Sequence, residues 1–114
     1  MNNVPLLLRS LKLDSSKVKF AGPYQQRRNS KTLNGCQIDI LIETEDHQIF
    51  VCELKTGKLI RRDVVRAIND KVKKLKRPKY KSLRTVLVTS SELEDSPYFE
   101  EHLDFIVDPL RWVV

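Results

Sequence analysis

Apolar and polar residues alternate with period two in two stretches, Gln37 to Glu43 and Ile49 to Lys55, which predicts two neighbouring strands. Residues of one parity on a strand share a face. Even positions Ile38, Ile40 and Ile42, then Phe50, Cys52 and Leu54, form a uniformly apolar face. The odd face carries Gln37, Asp39, Leu41 and Glu43, then Ile49, Val51, Glu53 and Lys55. An antiparallel hairpin that pairs Leu41 with Val51 sets apolar against apolar, Asp39 opposite Glu53 and Gln37 opposite Lys55. This register needs a bulge or an odd-length loop, most simply the five residues Thr44 to Gln48. An even loop would turn Glu53 to the other face.

The pattern predicts further elements on either side. Val4, Leu7, Leu8 and Leu11 recur at helical spacing, with Asn3 as N-cap and Pro5 in the first turn, so a first helix should end near Asp14-Ser15-Ser16. Val18 to Ala21 reads as a short strand closed by Gly22-Pro23, and the polar run Arg27 to Asn34 as a loop or hairpin arm. Gly57 breaks the strand after Lys55. A helix is expected from Ile60 to Lys76, with Val64, Ile68, Val72 and Leu75 as its buried stripe and Pro78 as its stop. Thr85 to Thr89 is a continuous run of the kind found in strands buried on both faces. Strand, crossover helix and strand imply a parallel pair. Ser96-Pro97 reads as N-cap and N1 of a short helix through His102, Phe105 to Val107 as a last strand, and Trp112 as a packing residue.

Length and composition fit one small domain, residues 1–114, with a single modest core and no internal repeat. No apolar run is long enough for a membrane span, and no secretory leader is legible, so a soluble, cytoplasmic protein is expected. Cys36 and Cys52 are the only cysteines and His47 and His102 the only histidines, which gives no zinc spacing. Cys52 falls on the apolar face, where a free thiol behaves as a small hydrophobe. The only glycines, Gly22, Gly35 and Gly57, make no phosphate-cradling loop, and Ser90 and Ser91 lack a glycine elbow.

Charge changes the picture more. The chain carries a net +6, yet Lys58 to Arg84 alone holds twelve basic residues against Asp63 and Asp70, a local +10. Basic residues confined to one segment form a stripe able to neutralise phosphates, and its candidate contacts are Lys58, Arg62, Arg66, Lys73 and Arg77, with Arg27 and Arg28 upstream. The stripe directly follows the carboxylate pair. Opposed side chains in a hairpin lie about 5 Å apart at Cβ, so Asp39 and Glu53 would repel unless they share a cation. A merely solvated face would be polar along its whole length, whereas here the polar residues gather at one end and Leu41, Ile49 and Val51 stay apolar.

Asp39 followed by Glu53-Leu54-Lys55 resembles the PD-(D/E)XK nuclease superfamily. More closely, Tyr24-Gln25-Gln26-Arg27, Gly35-Cys36-Gln37-Ile38-Asp39-Ile40-Leu41-Ile42 and Val51-Cys52-Glu53-Leu54-Lys55 look like the C-terminal nuclease-like domain attached to a group of prokaryotic AAA+-type ATPases. The resemblance implies an α/β, restriction-endonuclease-like core, a central mixed sheet with an antiparallel hairpin flanked by helices. It also implies metal-dependent phosphodiester cleavage, or a catalytically silent descendant that only binds nucleic acid or protein. By that analogy Asp39, Glu53 and the backbone carbonyl of Leu54 would ligate Mg²⁺ or Mn²⁺. Lys55 would orient a water or stabilise developing charge, and Gln37 would position either. The partners this reading admits are nucleic acid, DNA foremost, a second copy of the chain, and an ATPase partner or parent chain. Two features depart from the pattern. The first helix has no acidic residue before Asp14, which argues against a second metal, and the basic helix has no glutamine, Asn69 being its nearest substitute.

Overall fold

The alternating segments pair as a hairpin at the centre of a five-stranded mixed sheet. The structure is a computed structural model that describes residues 4–26, 35–76 and 81–112. The sheet strands are β1 (Val18–Gln26), β2 (Cys36–Thr44), β3 (Gln48–Leu54), β5 (Ser82–Val88) and β7 (Phe105–Val107), in the spatial order β1-β2-β3-β5-β7. The first three are antiparallel neighbours, and β5 runs parallel to both β3 and β7. Two two-residue strands, β4 (Leu59–Ile60) and β6 (Glu92–Leu93), pair separately.

Leu41 pairs with Val51, the expected register. The turn needs only Glu45-Asp46-His47, three residues instead of five, and any odd loop keeps the parity. His47 closes it in the left-handed region at φ 68°, and the Thr44 hydroxyl accepts the N–H of Gln48 and contacts Asp46. The β1–β2 ladder shifts register twice, between Val18 and Phe20 and again between Gly22 and Tyr24, and the second shift bears on the site. Tyr24 pairs with Ile38 and Gly22 with Leu41, so two steps on β1 span three on β2, a β-bulge around Asp39 and Ile40. Ile38 is therefore not on the face of Ile40 and Ile42. It packs with Leu41, Ile49, Val51 and Leu75 on the opposite side.

Helices cover both faces. The helix α1 (Val4–Ser10) lays Leu7 and Leu8, with Leu11 just beyond it, on Ile42, Phe50, Cys52, Val86 and Val88. On the other face lie α2 (Asp63–Lys74) and α3 (Ser96–His102). The first half of α2 packs Val65 and Ile68 with Leu87, Phe99 and Leu103, and its end brings Val72 and Leu75 to the hairpin. Alternate residues of β3 and β5 therefore meet different helices, which explains their continuous apolar character.

Several boundaries differ from expectation. The helix α1 stops at Ser10, and Lys12 takes a left-handed conformation (φ 59°) before a single 3₁₀ turn at Ser15–Lys17, capped by Asp14. The strand β1 continues through Gly22-Pro23, because an edge strand leaves the missing proline donor without a partner to lose. The α2 helix begins at Asp63, not Ile60, since Ile60 is drawn into β4; Val65 is then buried more deeply than Val64. Asp95, not Ser96, caps α3, its carboxylate accepting the N–H of Tyr98 at 3.2 Å. Asn3, the run Arg27–Asn34 and the Pro78 stop lie outside the described residues.

Candidate active site

The bulge in β2 and the end of β3 bring two carboxyl groups together. Asp39 Oδ2 accepts the backbone N–H of Leu54 at 2.9 Å, which ties β2 to β3 beyond the last ladder pair at Ile40 and Cys52. The bond to the Leu54 N–H sets Asp39 against the residue next to Glu53, close enough for the two carboxyls to shift each other's proton affinity. Glu53 is 2% exposed, on the face covered by α2, and its Oε1 accepts from Lys71 Nζ at 2.6 Å.

These neighbours push the two acids apart in proton affinity. Burial, then the nearby Asp39 carboxyl, raise Glu53 from the ordinary carboxylate range to about 7, against the opposing pull of Lys71. Desolvation would raise Asp39 as well, but the Glu53 carboxyl, the Leu54 N–H and the charges of Lys71 and Lys55 outweigh it and hold Asp39 below its usual value. A proton on Glu53 beside an ionised Asp39 accounts for both directions. One proton thus relieves a repulsion that a divalent cation would also relieve with both groups ionised. Two hard carboxylate oxygen donors suit Mg²⁺ or Mn²⁺, so the donor set fits such an ion. Among the described residues no third Asp, Glu, His or Cys joins the pair.

The other predicted residues are placed as follows. Lys55 leaves β3 half-buried, its backbone N–H on Val88 O at 3.1 Å, and its charge reaches Asp39. It lines an apolar cavity of about 110 Å³ with Leu7, Ile40, Leu54, Val88 and Trp112, on the α1 side of the sheet. Gln37 is exposed and pairs with Gln25 of β1; the bulge removes the simple pairing that would set it opposite Lys55. Lys58, Arg62, Arg66 and Lys73 are exposed. Arg27, Arg28 and Arg77 lie outside the described residues. Cys36 and Cys52 are free, and burial pushes the Cys52 thiol up to about 12, which makes it inert packing.

Lys71 is the site residue that sequence reasoning missed. Its signal was its position inside the buried stripe, between Ile68 and Val72, where a lysine must either snorkel or find an acid.

Fold and site together define a restriction-endonuclease-like architecture with a carboxylate pair at the hairpin end. Two solved structures share the fold. One is a repair endonuclease from Pyrococcus abyssi, with TM-score 0.50 and 24% identity over 75% of this chain and 37% of that one. The other is EndoMS in complex with dsDNA, with TM-score 0.50 and 20% identity over 95% of this chain and 45% of that one. The chain thus spans less than half the length of either. No family model and no curated protein matches it.

Proposed function

We propose that this chain is a nuclease domain that cleaves phosphodiester bonds, with DNA as its substrate and Mg²⁺ or Mn²⁺ as its cofactor. One observation carries the reading: the carboxyls of Asp39 and Glu53 meet at the end of a hairpin while a lysine compensates the buried one. The endonuclease neighbours, one of them bound to dsDNA, support it. Asp39, Glu53 and the carbonyl of Leu54 would hold the ion, which when bound polarises a phosphoryl oxygen and lowers the pKa of a coordinated water. The protein's own contribution is positional. The Leu54 N–H fixes Asp39, and α2 excludes water from Glu53, so that near neutral pH a bound cation would favour its ionised form over the protonated one. Lys55, whose charge reaches Asp39, orients the attacking water or stabilises the charge that develops on phosphate. Lys71 keeps Glu53 within reach of ionisation near neutral pH. Gln37 remains a candidate for positioning the water. The exposed Arg62, Arg66 and Lys73 supply sequence-independent attraction for the backbone. Residues 1–114 act as a single domain in this reading. An ATPase partner or parent chain and a cytoplasmic location belong to the same proposal and are carried by the sequence resemblance. Among the described residues no helix is long and apolar enough to cross a membrane.

The test is incubation with linear, circular and single-stranded DNA in Mg²⁺, Mn²⁺ or EDTA, beside an Asp39→Ala control. Cleavage that requires both metal and Asp39 is expected. Binding of DNA without cleavage under any metal would leave a silent binding module instead, a role the Lys71–Glu53 pair would serve by standing in for the ion.

A further inference from the structure

A second basic feature lies apart from the carboxylates. Arg61, Arg62 and Arg66, with Asp63, Glu94 and Tyr98, line an open polar cavity of about 430 Å³ at the start of α2. Its arginines are held in different ways. The Arg62 guanidinium sits 5.2 Å from the centroid of the Tyr98 ring, and that ring is itself braced by stacking on His102 at 4.1 Å. Glu94 turns both oxygens inward: Oε2 accepts the backbone N–H of Arg62 at 2.9 Å, and Oε1 faces Arg61 at 3.9 Å. Its charge therefore organises the arginines. Arg66, one turn after Arg62, makes no hydrogen bond or ion pair among the described residues.

Residue choice points the same way. From Arg61 to Lys76 every arginine lines this cavity, while the other four basic residues, at 71, 73, 74 and 76, are lysines. Guanidinium groups lining one concave site suit the oxygens of a phosphate, where a diffuse attraction would be served equally by lysine.

We infer that this cavity holds a second phosphate group of the nucleic-acid strand, separate from the one beside Asp39 and Glu53. The inference rests on the nuclease reading. Spacing is compatible: Arg66 and Arg62 precede Lys71 by five and nine residues, about 7 to 14 Å along the helix axis at about 1.5 Å per residue. That separation is of the order of the distance between nearby phosphates on one strand, so one strand can reach both sites. The second phosphate is either an internal phosphodiester or a terminal phosphomonoester.

The test is fluorescence anisotropy in EDTA, so that no strand is cut, on short duplex DNA with and without 5′-phosphates, comparing the intact chain with R61Q/R66Q. Both positions are exposed, so the double variant should keep its melting temperature, measured alongside. Loss of the cavity phosphate should weaken binding about tenfold and reduce the slope of log K against log salt by about 0.9. A defect confined to 5′-phosphorylated DNA identifies the terminal group, and an equal defect on both duplexes identifies an internal one. If the intact chain binds DNA and the variant matches it in affinity and slope, the cavity is no phosphate site. If the intact chain binds no DNA, the nuclease reading itself fails. R66K, which keeps the charge but loses the fork, should retain most of the slope yet lose affinity; full affinity in R66K would reduce the cavity to a diffuse field.

Discussion

Burial of Glu53 predicts that this protein becomes less stable as its site becomes chemically competent. In the folded chain the Glu53 carboxyl titrates near 7, against 4.5 for an unperturbed group. Between those values the native state binds more protons at Glu53 than the unfolded chain, so the contribution of Glu53 to stability is fully present below pH 4.5 and is lost as pH rises through about 7. At about 1.4 kcal/mol per pH unit of displacement, the full loss is about 3 kcal/mol, a large part of the stability of a small domain. Asp39 acts in the opposite sense, stabilising above its unfolded value near 3.8 and losing that only in stronger acid, so it does not contribute in this window. Glu53→Gln removes the titration. Urea unfolding in EDTA at pH 5 and pH 8 should therefore give a wild-type difference of up to about 3 kcal/mol and a nearly flat Gln variant, the variant being the more stable at pH 8. A divalent cation should restore much of the wild-type stability at pH 8 and do little for the variant, since ligand binding to the native state alone stabilises it. Parallel pH profiles for the two proteins would refute the reasoning, because they would mean that Glu53 ionises as freely folded as unfolded.

Asp39→Ala should abolish cleavage while leaving DNA affinity unchanged or improved, measured by gel assay and anisotropy on the same duplex, because it removes a negative charge from the phosphate's path. Lys71→Met takes the cation from Glu53 and should move its midpoint above 7, followed by carboxyl carbon NMR; an unmoved midpoint would mean that the 2.6 Å contact contributes nothing in solution. Phe99, which α3 buries fully against α2 and Leu87 of the sheet, should cost about 3–5 kcal/mol when replaced by Ala, read from the denaturation midpoint.

The hairpin register was legible because period-two alternation couples pairing to burial: with Leu41, Ile49 and Val51 needing one apolar side, only an odd turn serves, and its length matters little. The continuous run at Thr85 to Thr89 likewise announced a strand with helices on both faces, and the parallel β3–β5 pair follows from the helix between them. The sequence alone could not place Ile38 or set the protonation of Glu53. A bulge is decided by how β1 accommodates β2, and the edge strand's path through Gly22-Pro23 has no local signature. Glu53 and Lys71 are 18 residues apart, and their contact exists only because α2 crosses back over the hairpin. Local pattern fixes which faces are apolar; the fate of a charge depends on what the fold brings across from distant sequence, since solvation and Coulomb energy are set by neighbours in space.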